Sequence, residues 1–97
     1  MARFQVYRMG TDLALDVQTN LLDALHTRVV VPLVPERDVK RIVNRLNPRF
    51  QVNDTPYIMM TEFLAAVPVG ELGVKVVDVS AHSDEIVAAT DFLFQGF

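Results

Sequence analysis

The chain contains no cysteine, so neither a disulfide framework nor a thiolate metal site braces it, and a reducing compartment suits it. It also lacks any run near the roughly 18 apolar residues that a membrane span requires. The opening MARFQVYRMG has no apolar stretch ahead of a small-residue cleavage site, which sets the expectation of a cytoplasmic protein without a membrane partner. Positive charge is short as well: 9 lysines and arginines face 12 acids, a formal net charge of -3. The global field that attracts phosphate backbones is therefore missing, and direct nucleic-acid binding is not expected. Glycine is scarce, with 4 residues isolated or at turns, and none forms the G-x-x-x-x-G-K or G-x-G-x-x-G cradle of a nucleotide site.

What is plentiful is apolar surface: 51% of only 97 residues are hydrophobic. A single domain over residues 1–97 buries a limited fraction of its own surface. So much apolar content favours a second copy covering part of it, and a homodimer is expected.

Alternation in RFQVY, with Phe4 and Val6 on one face, and in LALDVQ, with Leu13, Leu15 and Val17 on one face, predicts an antiparallel hairpin across MGTD. TNLLDAL follows as a polar-edged connection carrying an exposed pair, Leu21 and Leu22. TRVVVPLVP is a third strand, and Pro32 argues that it lies at an edge or near its end, because proline has no N–H for the ladder. From Glu36 to Leu46 the period changes: Arg37, Arg41 and Arg45 recur every fourth residue among Val39, Ile42, Val43 and Leu46, predicting a short amphipathic helix. RFQV and YIMMT form a hairpin across NDTP, Pro68, Gly70 and Gly73 punctuate the next stretch, and VKVVDV adds a last short strand. The clearest helix ends the chain, with Ser80 as N-cap, Asp84 and Glu85 in its first turns, and Ile86, Ala89, Leu93 and Phe97 at helical spacing. It runs out in TDFLFQGF, an apolar end read as uncapped and prone to fray.

Catalytic chemistry finds little purchase. His26 and His82 stand outside any metal-ligand spacing, and no metal or cofactor is expected. SAHSDE gathers Ser, His and Asp, but triads assemble from separated segments, and these residues read as helix-capping. Asp12, Asp16 and Asp23 read as solvated surface acids. The stripe Arg37, Lys40, Arg41 and Arg45, joined by Arg49, is the one basic cluster. It serves either as a solvated face or as a receiver of an acidic peptide segment.

FQVY, LDVQTNLLD, TRVVVPL, YIMMTEFLAAVPVGELG and DEIVAATDFLFQGF resemble, in order and along nearly the whole chain, the CcdB family of toxins. The resemblance implies a mainly β fold, an SH3-like barrel of the CcdB/Kid toxin type with a C-terminal helix, assembled as a symmetric dimer. It implies a toxin of a type II toxin–antitoxin module that is not an enzyme. Such a dimer binds the gyrase A protein of DNA gyrase, traps the cleaved-DNA complex, and is neutralised by a cognate antitoxin that also helps repress the shared operon.

Carried over by position, the resemblance places the gyrase-binding surface at Leu21, Leu22, Asp91, Phe94, Gln95, Gly96 and Phe97, with Leu93 at the dimer interface. Three of these depart from the family pattern: Asp91 replaces Asn, Gln95 replaces Trp and Phe97 replaces an aliphatic residue. Losing the Trp face removes a platform for a target arginine, a contact of about 0.5–2 kcal/mol. The antitoxin is expected at Arg8 and Met9, in a loop shorter than the family's, and at Arg37, Lys40, Arg41 and Arg45. Two other functions stay open at this point: a Kid/MazF-like endoribonuclease, with Arg28 or the basic stripe supplying charge, and a homologue that no longer poisons gyrase.

Overall fold

In the computed structural model, which describes residues 1–96, β1 (Gln5–Met9) and β2 (Asp12–Asp16) pair antiparallel around Gly10 and Thr11, with Met9 opposite Asp12. Gly10 takes φ 63, the left-handed entry that two-residue hairpins need to match strand twist. β3 (Thr27–Pro35) runs antiparallel to β2. β4 (Arg49–Val52) and β5 (Thr55–Met59) form a second tight hairpin, with Asn53 and Asp54 at φ 50 and 67 as the two residues of its turn. β6 (Ala65–Pro68) and β7 (Lys75–Asp78) complete a curled seven-stranded sheet in the order β4-β5-β3-β2-β1-β7, with β6 also on β3. The fold is thus mainly β, with one C-terminal helix, α1 (Ser83–Gln95).

Both faces of the central strands are covered. Leu13, Leu15, Val17, Val31 and Leu33 meet Ile86 and Ala89 of α1 in the main core. On the reverse face Tyr7, Ala14 and Val30 gather under Leu72. Val6 and Tyr7, adjacent in sequence, are both buried. The alternation in β1 and β2 thus marked two apolar clusters instead of one dry and one wet face.

Pro32 is not at an edge. β3 is the central strand, flanked by β2 on one side and by two partners in succession on the other: β6 along Thr27–Val30, then β5 along Leu33–Pro35. Pro32 falls in the gap between those partners, where no ladder donor is required, while its carbonyl still accepts from Met60 N–H at 3.0 Å.

The helix expected over 36–46 does not form. A single 3₁₀ turn, Glu36–Asp38, gives way at Val39 to extended backbone at φ -101, ψ 124. Buried Asn47 draws the segment into another shape: its Oδ1 accepts from Val43 N–H at 3.0 Å, and its Nδ2 donates to Met59 O at 3.0 Å and Glu62 Oε1 at 2.8 Å. Eleven residues with three β-branched side chains gain too little from local helix formation to resist those tertiary bonds.

Ser80 does not cap α1. A 3₁₀ turn spans Ser80–His82, α1 starts at Ser83, and Ser80 N–H instead donates to Asp78 Oδ1 at 2.7 Å. Hydrogen bonding from Ser80, its side chain first, holds the Asp78 carboxyl below its ordinary value. At the other end the helix is capped after all. Gly96 adopts φ 78, and its N–H reaches Phe92 O at 2.9 Å, the left-handed stop that glycine accepts without a Cβ penalty.

Candidate functional site

Two segments distant in sequence meet at one end of the sheet. The first is the connection between β2 and β3. Thr19 caps a 3₁₀ turn over Asn20–Leu22, its Oγ1 accepting from Leu21 N–H at 3.3 Å. No residue of that turn is buried. Leu21 is 91% exposed, and Leu22 and Leu25 are about half exposed. The pair picked out in the sequence is therefore an apolar projection held away from the core.

The second segment is the end of α1. Ile86 and Ala89 face the core, and Leu93 is half-buried beyond them. Asp91, Phe94 and Gln95, spaced i, i+3 and i+4, share the solvent face, with Phe94 70% exposed. Gly96 is exposed at the cap; Phe97 lies outside the described residues. Among the expected contact residues, Leu22 and Phe94 are brought together: both line an open apolar groove of about 490 Å³, with Val17, Leu25, Val29 and Leu64. Leu21 stands beside that groove without lining it, and Asp91, Gln95 and Gly96 are likewise not part of its wall.

Sequence reasoning missed Gln18, Leu25, Leu64 and Thr90 at this groove. Two of them carried a signal. Leu25 lies three residues past Leu22, and Thr90 sits one helical turn before Phe94, so each shares its neighbour's side of the chain. Leu64 closes the 3₁₀ turn Thr61–Phe63 that follows β5, and it had none.

The basic residues do not form one face. Without a helix over 36–46, their four-residue spacing aligns nothing. Arg8 lines a polar hollow of about 240 Å³ with Asp12, Asp38 and Tyr57, at the β1–β2 turn end of the sheet. Met9 is half-buried against the reverse-face cluster. Arg37, Lys40 and Arg41 are not buried, and Arg49 pairs with Glu36. Arg45 lies over the Phe92 ring of α1, 4.6 Å from its centre, a cation–π contact that ties the segment to the helix.

Asp16 is not a surface acid. It is fully buried, and its Oδ2 accepts from Arg28 Nε at 2.8 Å with Nη2 at 2.7 Å. Its Oδ1 accepts from Gln18 N–H at 3.0 Å. Burial pushes the Asp16 carboxyl above its ordinary value, opposed by the Gln18 N–H and by Arg28. Arg28 is 1% exposed, and its terminal nitrogens have no well-aligned acceptor. It is committed to the interior and cannot offer charge to an RNA phosphate, which removes one of the two sources of charge, Arg28 or the basic stripe, that the ribonuclease reading offered.

His82 stacks at 5.1 Å, tilted, on Phe50 and meets Glu85 Oε1 at 3.3 Å; it is not engaged with a serine hydroxyl. Among the described residues no three or more His, Asp or Glu side chains converge as metal ligands, and no helix is long and apolar enough to cross a membrane.

The architecture has a solved counterpart. A structure described as an endoribonuclease in complex with its cognate antitoxin from Mycobacterial species superposes with a TM-score of 0.78 at 20% identity, covering 97% of this chain and 94% of that one. That likeness establishes the fold, a curled antiparallel sheet with a C-terminal helix. Residues 3–96 match the family described as CcdB protein, nearly the whole chain. With the curled sheet, the single C-terminal helix and the apolar projection after DVQ in place, the chain belongs to the CcdB family.

Proposed function

We propose that the protein is the toxin of a type II toxin–antitoxin module and that it acts as a homodimer by binding the gyrase A protein of DNA gyrase, without catalytic residues of its own. The observation that carries this reading is the meeting of the Leu22 projection and the Phe94 end of α1 around one apolar groove. Exposed apolar side chains on rigid elements are what a protein target can bury, and aromatic side chains contribute most with few rotamers to freeze. Leu21, Leu22, Phe94, Gln95 and Gly96, with Phe97 beyond the described residues, form the target-facing tip, and Asp91 lies on the same helix face. Leu93 and the exposed Phe63, from the 3₁₀ turn that α1 packs against, belong to the dimer seam.

Neutralisation falls to a cognate antitoxin with an acidic segment, received by Arg8 and Met9 at one end and by Arg37, Lys40, Arg41 and Arg45 along the irregular segment. The solved counterpart, itself captured with an antitoxin, supports a partner of this class.

Removal of Gln95 to Phe97 tests the mechanism. Inhibition of gyrase supercoiling and arrest of growth should both be lost, while the truncated protein keeps its β-sheet circular dichroism. Unchanged inhibition would sink the tip mechanism. Specific cleavage of mRNA by the purified protein, with no binding to a gyrase A fragment, would replace it with the ribonuclease reading.

A further inference from the structure

The loop that presents Leu21 and Leu22 has no buried residue to anchor its turn. An apolar loop lacking core contacts ordinarily samples many conformations, and a target would have to freeze it on binding. Here hydrogen bonds take the place of burial, and the two that join the arms of the loop through a buried side chain both belong to Gln18.

Gln18 is 7% exposed and reaches in two directions. Its Nε2 donates to Leu22 O at 2.9 Å, and its Oε1 accepts from Val29 N–H at 3.0 Å, joining the outgoing and returning arms of the loop. Its own backbone N–H is held by Asp16 Oδ1, and Asp16 is held in turn by Arg28. Leu22 O also accepts from Leu25 N–H at 3.2 Å, so the Gln18 amide fixes the carbonyl that organises the rest of the turn. From outside, Arg3 N–H donates to Asn20 Oδ1 at 2.9 Å and Arg3 Nε to Val17 O at 3.2 Å.

We propose that Gln18, backed by the buried Asp16–Arg28 pair, is a positioning residue that pre-organises the Leu21–Leu22 turn for its protein target. The inference rests on the target-facing role given to that turn above. Gln18 need not touch the target; it holds Leu22 and Leu25 in the conformation the target meets, so the ordering cost is met on folding.

The test is Gln18→Met, which keeps length and removes both directed bonds, compared with Ile58→Val, a core change on β5, the strand that pairs with the other half of β3. Amide exchange by NMR should accelerate at Leu22, Leu25 and Val29 in Gln18→Met by roughly tenfold relative to the rest of the sheet. Ile58→Val, matched for global stability, should leave that ratio unchanged. Equal acceleration in both variants would reduce Gln18 to a general stability residue and overturn the proposal. Affinity for a gyrase A fragment should fall in Gln18→Met alone; local loosening with unchanged affinity, in a wild type that binds, would also overturn it. Should the wild type not bind that fragment at all, the target assignment fails and the exchange ratio alone decides whether Gln18 organises the turn. If Gln18→Met does not fold, backbone order parameters of the wild type decide: values near 0.85 at Leu21–Leu25 uphold the latch, and values below about 0.6 refute it.

Discussion

Asp16 and Arg28 are 0% and 1% exposed and touch at 2.7–2.8 Å, so their replacement tests how the protein tolerates an ion pair in its interior. Asp16→Leu leaves a guanidinium buried without a counter-charge, and Arg28→Met leaves a carboxylate whose remaining bond is the Gln18 N–H. Breaking a buried pair from one side costs about 3–5 kcal/mol, a large share of the roughly 5–15 kcal/mol that holds a domain of this size folded. Replacing both at once removes two desolvation penalties together, and such replacements range from neutral to about 1–4 kcal/mol stabilising. The lost Gln18 N–H bond returns about 1 kcal/mol of that. The double variant should therefore be far more stable than the sum of the single losses, with a coupling energy of several kcal/mol.

Urea unfolding followed by circular dichroism, at one protomer concentration, measures all four proteins. The pH dependence supplies a second check. Burial raises the Asp16 carboxyl above 3.8, so the folded state favours its protonated form. The stability linked to it is full below the unfolded value and declines as pH rises through the folded value. The penalty of Arg28→Met should accordingly be largest at neutral pH and shrink in acid, where Asp16 carries no charge to leave unpaired. A double variant that loses as much as both singles together, at every pH, would refute the reasoning.

Four further outcomes are expected. Leu21→Asp, at a position 91% exposed, should shift stability by no more than about 0.5 kcal/mol while abolishing gyrase inhibition; unfolding midpoints and a supercoiling assay separate the two effects. Gly96→Ala meets no atom within 4 Å but must adopt φ 78, so it should cost about 1 kcal/mol through backbone strain alone, read as faster amide exchange over the last turn of α1. Gln95→Trp, on the exposed face shared with Asp91 and Phe94, should tighten binding to a gyrase A fragment by about 0.5–2 kcal/mol if a target cation stacks there, measured by calorimetry. The acid limb of the stability curve belongs in part to Asp78, whose lowered carboxyl contributes above 3.8 and is lost as pH falls through its folded value; Asp78→Asn should flatten that limb.

Local pattern made exposure legible, while the contact roles given to these residues came from the family resemblance. An exposed Leu-Leu pair between two strands has no periodic partner, and the terminal helix separates Ile86 and Ala89 from Asp91, Phe94 and Gln95 by its 3.6-residue repeat alone. The basic stripe misled for the same reason. Its spacing was helical, but Asn47 supplied side-chain bonds to Met59 and Glu62 that no local window contains. Asp16 looked like a surface acid because the alternation in β2 placed it opposite Leu13 and Leu15. A second cluster beneath Leu72 covers that face as well.

By itself the sequence determined the hairpins, the strand-rich class, the final helix and the family, since period-2 and period-3.6 patterns and the ordered motifs need no partner in space. Only the tertiary structure decided that Pro32 sits centrally between two successive partners of β3, that Arg28 is spent on Asp16, and that Leu22 and Phe94 share one groove. Each of those depends on which distant segment lies alongside. Sheet pairing and burial of charge are settled by non-local contacts whose energies exceed the local preferences that a sequence displays.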